Sequence, residues 1–145
     1  MAKIYRTTDR IKVNIHDMCF SLSPLTISQK REIQGHLYQA VKEQDLLSAQ
    51  EAAMLSIKYS VKSVKGLYDQ NNEEYQLEFD GGFLSDNCVQ DLMNIESNET
   101  LANVCNSLLY GIQNPLVDPL TGKEIQGVSF EEKSSEKKNL EESIS

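Results

Sequence analysis

The chain has 145 residues, of which 39% are hydrophobic and 25% charged, and its formal net charge is −8. This length and composition are typical of one globular domain. The N-terminal residues lack the apolar core of a signal peptide, and no stretch approaches the roughly 20 apolar residues of a membrane span. Three scattered cysteines without a C-x-x-C pair are typical of a reducing compartment. We therefore expect a cytoplasmic protein without a membrane partner.

The charge is divided unevenly along the chain. Residues 1–68 contain ten lysines or arginines and six aspartates or glutamates, a net of +4, whereas residues 69–145 contain four and sixteen, a net of −12. Such asymmetry predicts one basic and one acidic surface on the folded protein.

The first predicted element is a β-hairpin. Apolar and polar residues alternate in "IKVNI" (residues 11–15) and, with the opposite parity, in "MCFSL" (residues 18–22). The change of parity falls at His16 and Asp17, where a tight turn would join two short strands.

A helix is predicted to follow Pro24, because Thr26 and Gln29 have the spacing of a capping box. Apolar residues recur at helical spacing from there. They are Ile33, Leu37, Ala40 and Val41.

The next stretch, "SIKYSVKSVKGL" (residues 56–67), alternates like a strand and also carries a helical apolar face. Ser48 and Glu51 form a second capping-box pattern upstream, which favours the helix. We therefore predict a helix over residues 49–64 that ends at Gly66 as its C-cap, although residues 64–68 can already be extended.

On that helix Lys58, Lys62 and Lys65 would form a stripe on the exposed flank. Lysines near a helix C-terminus complement its dipole and keep the surface soluble. The alternative is that they bind an acidic partner, so these three lysines are the candidate partner-binding residues.

The remaining predicted elements lie between residues 69 and 112. A central strand or hairpin is predicted at "YQLEFDGG" (residues 75–82), which follows a polar turn and is able to pair with residues 65–68. A short helix begins at Ser85, and another near Ser97 or Asn98. The latter has the widest apolar stripe of the chain. Its members are Leu101, Val104, Cys105, Leu108, Leu109 and Ile112.

The predicted fold class is α+β, with an N-terminal β-hairpin, about four helices and the central strand or hairpin. Residues 111–130 are rich in loop-forming residues and contain at most a terminal hairpin. Residues 131–145, "EEKSSEKKNLEESIS", are almost entirely polar and predict a disordered charged tail. The predicted domains are thus a globular unit of residues 1–130 and a tail of residues 131–145.

No catalytic or metal motif is complete. Residues 69–80 have the length of an EF-hand loop, but Glu74 replaces its glycine and Asp80 its final glutamate. His16 and Cys19 have a metal-ligand spacing without a second pair nearby. The cysteines lie in apolar patterns that suggest packing. We therefore predict a protein that is not an enzyme and has no cofactor or metal.

Nucleic acid is the remaining class of ligand considered. Eight basic residues of the first half would have to form one surface for it: Arg6, Arg10, Lys12, Lys30, Arg31, Lys58, Lys62 and Lys65. A sequence pI near 4.7 disfavours this interpretation, because phosphate binding depends on concentrated positive charge.

The order of elements resembles a known group of proteins. A hairpin leads through "LSPLTISQKREI" into a helix, and "IKYSVKSVKGL" leads into "YQLEFDGG". The segments "FLSDNCVQDLMNI" and "ETLANVCNSLLYGI" then form two helices. Over about residues 11–128 this order is similar to the morphogenesis proteins of tailed bacteriophages, most nearly the tail assembly chaperones.

The resemblance implies a non-catalytic protein of the host-cell cytoplasm. Tail assembly chaperones bind the long helical tape-measure protein, keep it soluble and deliver it to the tail-tube subunits. The implied partners are those two proteins or a second copy of the chain. The alternative is a structural component of the virion head, neck or tail, which would persist in the finished particle; a small nucleic-acid-binding protein is the third interpretation.

Overall fold

The protein, seen as a computed structural model that describes residues 6–110 and 128–131, has two antiparallel sheets and four α-helices within those ranges. The larger sheet contains β1 (Ile11–Ile15), β2 (Met18–Leu22), β3 (Val61–Lys65) and β6 (Val128–Glu131), in the order β3-β2-β1-β6; β4 (Phe79–Asp80) and β5 (Phe83–Leu84) form the smaller one. The helices are α1 (Ile27–Glu43), α2 (Leu46–Ser60), α3 (Asp86–Leu92) and α4 (Asn98–Ser107). The predicted α+β class is confirmed.

The predicted N-terminal hairpin is formed by β1 and β2 in the expected register. Val13 lies opposite Phe20 and Ile15 opposite Met18, so the turn falls at His16 and Asp17. His16 has φ of +53°, the left-handed conformation that such a turn needs. Alternation places Val13, Ile15 and Phe20 in the core with no exposed surface.

Helix α1 begins at the predicted capping box. The hydroxyl of Thr26 accepts a bond from the backbone N–H of Gln29, and the Gln29 side chain accepts one from the N–H of Thr26. The predicted inward face is correct for Ile33, but wrong for Val41, which is 67% exposed. Val41 lies about 100° around the helix from Ala40, and α2 does not cover that side.

Gly35 lies in the middle of α1 in ordinary helical conformation, and a methyl group added there would meet nothing within 4 Å. Alanine loses less backbone freedom on folding than glycine does, so Gly35→Ala is expected to stabilise the protein by about 0.5–1 kcal/mol. Urea denaturation of both proteins measures this difference. A destabilised variant would mean that another group occupies the space beside Gly35.

The N-cap of helix α2 lies three residues before the predicted one. Asp45 is the N-cap: its carboxylate accepts bonds from the N–H of Leu47 (3.0 Å) and from the hydroxyl of Ser48 (2.9 Å). The bond from Ser48 is the main cause of a lowered pKa of Asp45. The Ser48 cap was wrong because Ser48 points its hydroxyl to Asp45, inside the first turn of the helix.

The predicted helix over residues 49–64 is also wrong at its C-terminal end. Helix α2 stops at Ser60, and β3 begins at Val61 and pairs with β2, so that Phe20 lies opposite Val64. Both strand and helix were therefore present in the ambiguous stretch, one after the other. Pairing with β2 buries Val61 and Val64 in the sheet, where β-branched residues are favoured.

Gly66 ends β3 and is not a helix C-cap. Its φ is +84°, and a Cβ at this position would lie 2.4 Å from the backbone oxygen of Asp17. The glycine thus allows the chain leaving β3 to pass directly against the β1–β2 turn.

The predicted central strand of residues 75–82 is shorter than expected. Only Phe79 and Asp80 pair in a ladder, with Leu84 and Phe83 across a turn at Gly81 and Gly82. The predicted pairing of this segment with residues 65–68 is confirmed at one point, because the N–H of Tyr75 bonds to the carbonyl of Leu67 at 2.8 Å.

The last two helices begin near the predicted residues. The Ser85 hydroxyl caps α3, and α4 starts at Asn98. One hydrophobic cluster joins them to α2 and to the inner side of the larger sheet. Ile112 lies outside the described residues, and so does the predicted tail of residues 131–145 apart from Glu131, which ends β6. No helix in the described ranges combines the length and apolar character needed to cross a bilayer.

Candidate functional site

The three candidate lysines do not form one helical stripe. Lys58 lies in the last turn of α2, whereas Lys62 and Lys65 belong to β3. Lys65 is exposed opposite Cys19 in the sheet, and Lys62 is half-buried beside β5. The stripe was predicted from a helix that does not extend past Ser60.

Two of these lysines contact the β4–β5 hairpin and the start of α3. Lys62 donates a hydrogen bond to the carbonyl of Gly82 (3.1 Å), and its Nζ lies 5.3 Å from the centre of the Phe83 ring. Burial, and secondarily the charge of Arg10, lower the pKa of Lys62. Lys58 Nζ lies 3.6 Å from the Asp86 carboxylate. The two lysines therefore connect the β4–β5 hairpin and the start of α3 to β3 and α2.

Lys62 has contacts within the fold and Lys65 is exposed, so their substitutions should differ in the free energy of unfolding. Lys62→Ala removes a charge-assisted hydrogen bond and a cation–π contact, and is expected to cost about 1 kcal/mol of the free energy of unfolding. Lys65→Ala removes an exposed charge and should change it by less than about 0.5 kcal/mol. Urea denaturation compares the two variants; equal values would mean that the contacts of Lys62 add nothing to stability.

Three titratable side chains of the described region have raised pKa values, and two of them link separate parts of the fold. Cys105 is fully buried, and burial raises the pKa of its thiol to about 12, so it stays protonated at neutral pH. The Tyr59 hydroxyl donates to Glu32 at 2.7 Å and joins α2 to α1; burial and this carboxylate raise its pKa to about 12. The Tyr75 hydroxyl donates to Asp91 at 2.5 Å, and burial is the main cause of its raised pKa.

A different surface stands out by its exposed apolar side chains. Helices α1 and α2 pack together as a helical hairpin, joined by Gln44 and Asp45. Among the described residues seven large hydrophobic side chains are exposed, and five of them belong to this hairpin. We call these five the hairpin face: Ile27 (72% exposed), Tyr38 (66%), Val41 (67%), Leu46 (81%) and Leu47 (72%).

The hairpin face has cationic neighbours. Arg31 and Lys42 are exposed on the same side of α1, and Lys42 Nζ lies 5.5 Å from the centre of the Tyr38 ring. The acidic residues of α1 point elsewhere: Glu32 accepts the bond from Tyr59, and Glu43 accepts one from Gln39. The α1 part of this surface therefore has a positive edge, in a chain of net charge −8.

Sequence reasoning missed this surface because it assigned Val41 to the core. Two signals were present. Tyr38 and Val41 are three residues apart on a side of α1 that the Ile33–Leu37 stripe does not include. Leu46 and Leu47 directly follow Asp45, and adjacent residues of a first turn point about 100° apart, so both cannot face the same core.

The potential metal ligands of the described residues are dispersed over the fold. In residues 6–110 and 128–131 no three His, Cys, Asp or Glu side chains are grouped as a metal site. His16 lies in the β1–β2 turn and His36 on α1, so the structure does not bring the two histidines to one element. Comparison of the chain with protein-family models, with curated proteins and with solved structures found no match.

Proposed function

We propose that the protein is a non-catalytic binding protein of tailed-phage morphogenesis, of the tail assembly chaperone type. It binds the tape-measure protein in the host cytoplasm, keeps it soluble and releases it to the tail-tube subunits. The hairpin face is the surface that binds this client.

The exposure of the hairpin face carries the proposal. Five large apolar side chains, each at least 66% exposed, lie on one pair of helices, while the core beneath holds fully buried residues such as Ile33 and Ile57. Leaving this much apolar surface in water is unfavourable, and concentrated patches of it mark sites of interaction with other proteins. A long helical client offers apolar stripes that such a surface can cover.

The charge distribution of the protein supports the second part of the proposed role, which is to keep the client soluble. Residues 69–110 contain nine acidic residues and no lysine, arginine or histidine. All nine are exposed: Asp69, Glu73, Glu74, Glu78, Asp80, Asp86, Asp91, Glu96 and Glu99. A protein that covers an apolar client with one surface and presents negative charge on another keeps the complexes apart by repulsion.

Co-expression tests this function. The proposal requires a long helical protein encoded in the same gene cluster. This protein is produced in bacteria alone and together with the chain, and its soluble fraction is measured after centrifugation. The proposal predicts that it is mostly insoluble alone and mostly soluble, and co-purified, with the chain. A variant with Tyr38→Asp and Leu47→Asp should lose this effect. A matched variant with Gln76→Asp and Gln90→Asp, two exposed residues outside the helical hairpin, changes the net charge equally and should keep it.

The protein content of the finished virion distinguishes a chaperone from a structural component. A chaperone leaves its client before the virion is complete, so mass spectrometry of purified virions should detect tail-tube protein and none of this chain. Its presence at a fixed number of copies would contradict the chaperone role and favour a virion component.

A further inference from the structure

The outward side of α1 combines three features that are not explained by the packing of the free protein. It has an apolar strip, a cationic edge and a glycine with open space above it. Together they indicate how a client helix lies on the hairpin face, so the inference below rests on the proposed function and deepens it.

The apolar strip follows the axis of the helix. Seventeen residues of α1 extend about 25 Å, and Ile27, Tyr38 and Val41 lie within an arc of about 60° on its outer side. The exposed Gln34 lies in the same arc, between Ile27 and Tyr38 along the chain. Leu46 and Leu47, directly after the two-residue connection, are exposed at the start of α2. A long and narrow strip of this kind matches the apolar stripe of another helix.

Gly35 lies in the middle of α1, between Arg31 and Tyr38 along the chain, and about 60° around the helix from Tyr38 on the side where Arg31 lies. Neither turn geometry nor packing in the free protein requires a glycine there, since its backbone is helical and a Cβ would contact nothing. Absence of a side chain allows the backbone of a second helix to approach α1 closely at this point. Gly35 is therefore the position on the outer side of α1 where a second helix is able to approach the backbone closely.

The cationic edge decides the charge of the partner. Arg31 and Lys42 lie about 20° apart when viewed along α1, next to Tyr38, and the acidic side chains of α1 lie on its other sides. Opposite charges across an interface favour the correct partner and exclude similar surfaces of like charge. An acidic row beside the apolar stripe of the client complements this edge.

We propose that α1 binds an amphipathic client helix that carries acidic residues along one edge of its apolar stripe and crosses α1 at Gly35. An anionic membrane is the other partner that a basic amphipathic helix fits. The protein favours the helix, because a net charge of −8 repels an anionic bilayer, and only the outer side of α1 is available while α2 covers its inner side.

Two synthetic peptides test the charge of the partner. Both are 21-residue helices with leucines at positions i, i+3, i+4 and i+7, flanked by glutamates in one peptide and by lysines in the other. Fluorescence anisotropy of labelled peptides should show the glutamate peptide binding at least about tenfold more tightly. Equal affinities, or no binding of the glutamate peptide at millimolar protein concentration, would overturn the inference.

Variants of the chain test the surface. Arg31→Glu with Lys42→Glu should remove the preference for the glutamate peptide, whereas Arg6→Glu with Lys65→Glu, which changes the net charge equally, should alter both affinities by less than about threefold. Gly35→Ala should weaken the glutamate peptide by at least about fivefold while the melting temperature stays the same or rises. Unchanged affinity in Gly35→Ala would contradict the crossing point.

Other occupants give other results. If phosphatidylserine vesicles bind the wild type and not the Arg31→Glu/Lys42→Glu variant, the surface is a membrane site; if sedimentation shows a dimer that this variant loses, a second copy occupies it. Either result overturns the inference.

The co-expression assay distinguishes failure of this inference from failure of the proposed function. A client kept soluble equally well by the wild type and by the Arg31→Glu/Lys42→Glu variant contradicts the inference alone. A client that stays insoluble with both contradicts the function.

Discussion

Replacing Phe20 by alanine is expected to lower the free energy of unfolding by about 3–5 kcal/mol, the range measured for large aromatic residues removed from cores. Phe20 lies in β2, at the centre of the three strands β1, β2 and β3, with Val13 on one side and Val64 on the other. Its side chain has no exposed surface. The substitution removes the largest fully buried side chain among residues 6–109 and leaves a cavity that the flanking strands are too constrained to fill.

Urea denaturation, followed by circular dichroism, measures this loss. Leu46→Ala is the control, because Leu46 is 81% exposed at the start of α2, and its change should stay within about 0.5 kcal/mol. If Leu46→Ala costs as much as Phe20→Ala, Leu46 is buried in the protein in solution and the hairpin face is not open.

Gly66→Ala is expected to have the second largest effect, at least about 2 kcal/mol. An alanine at φ of +84° is strained by about 1–2 kcal/mol. In addition, its Cβ would lie 2.4 Å from the Asp17 carbonyl oxygen, a backbone atom in the β1–β2 turn that cannot rotate away. Either β3 or the turn has to move, and both belong to the same sheet.

Gly81→Ala isolates the contact from the conformational strain. Gly81 also has a positive φ, +62°, but a Cβ there meets nothing within 4 Å. It should cost only about 1 kcal/mol in the same denaturation experiment. Equal losses at the two glycines would show that the chain around Asp17 adjusts and that the close approach has no energetic weight.

The sequence predicted the elements whose signals are local. The parity change at His16 and Asp17 lies within one short hairpin, and the caps at Thr26 and Ser85 depend on residues three positions apart; each is confirmed. The capping pattern of Ser48 and Glu51 is equally local but was wrong, because Asp45 takes the cap three residues earlier.

The end of α2 was mispredicted because it depends on a distant strand. Residues 61–65 have helical and strand periodicity at once, and the deciding partner, β2, lies about 40 residues earlier in the chain. Long-range pairing overrides the local preference in such cases. The candidate binding residues were predicted on this helix. The predicted stripe of Lys58, Lys62 and Lys65 was therefore wrong as well.

The hairpin face was hidden from sequence reasoning for a related reason. A periodic apolar pattern identifies a side of a helix that is able to be buried, but α1 has two apolar sides and α2 covers one of them. Which side remains open is decided by the antiparallel packing of the two helices. Only the structure distinguishes Ile33, which is buried, from Val41, which is exposed.

Hydrogen–deuterium exchange of the protein, alone and in complex with the client of the co-expression assay, tests most directly the proposal that the hairpin face binds a tape-measure protein. Amide exchange should slow by at least several-fold across residues 27–47 and stay unchanged in the β4–β5 hairpin, because a bound helix suppresses local opening where it packs. Protection confined to residues 58–65 or to the acidic segment 69–99, with residues 27–47 exchanging as in the free protein, would contradict it.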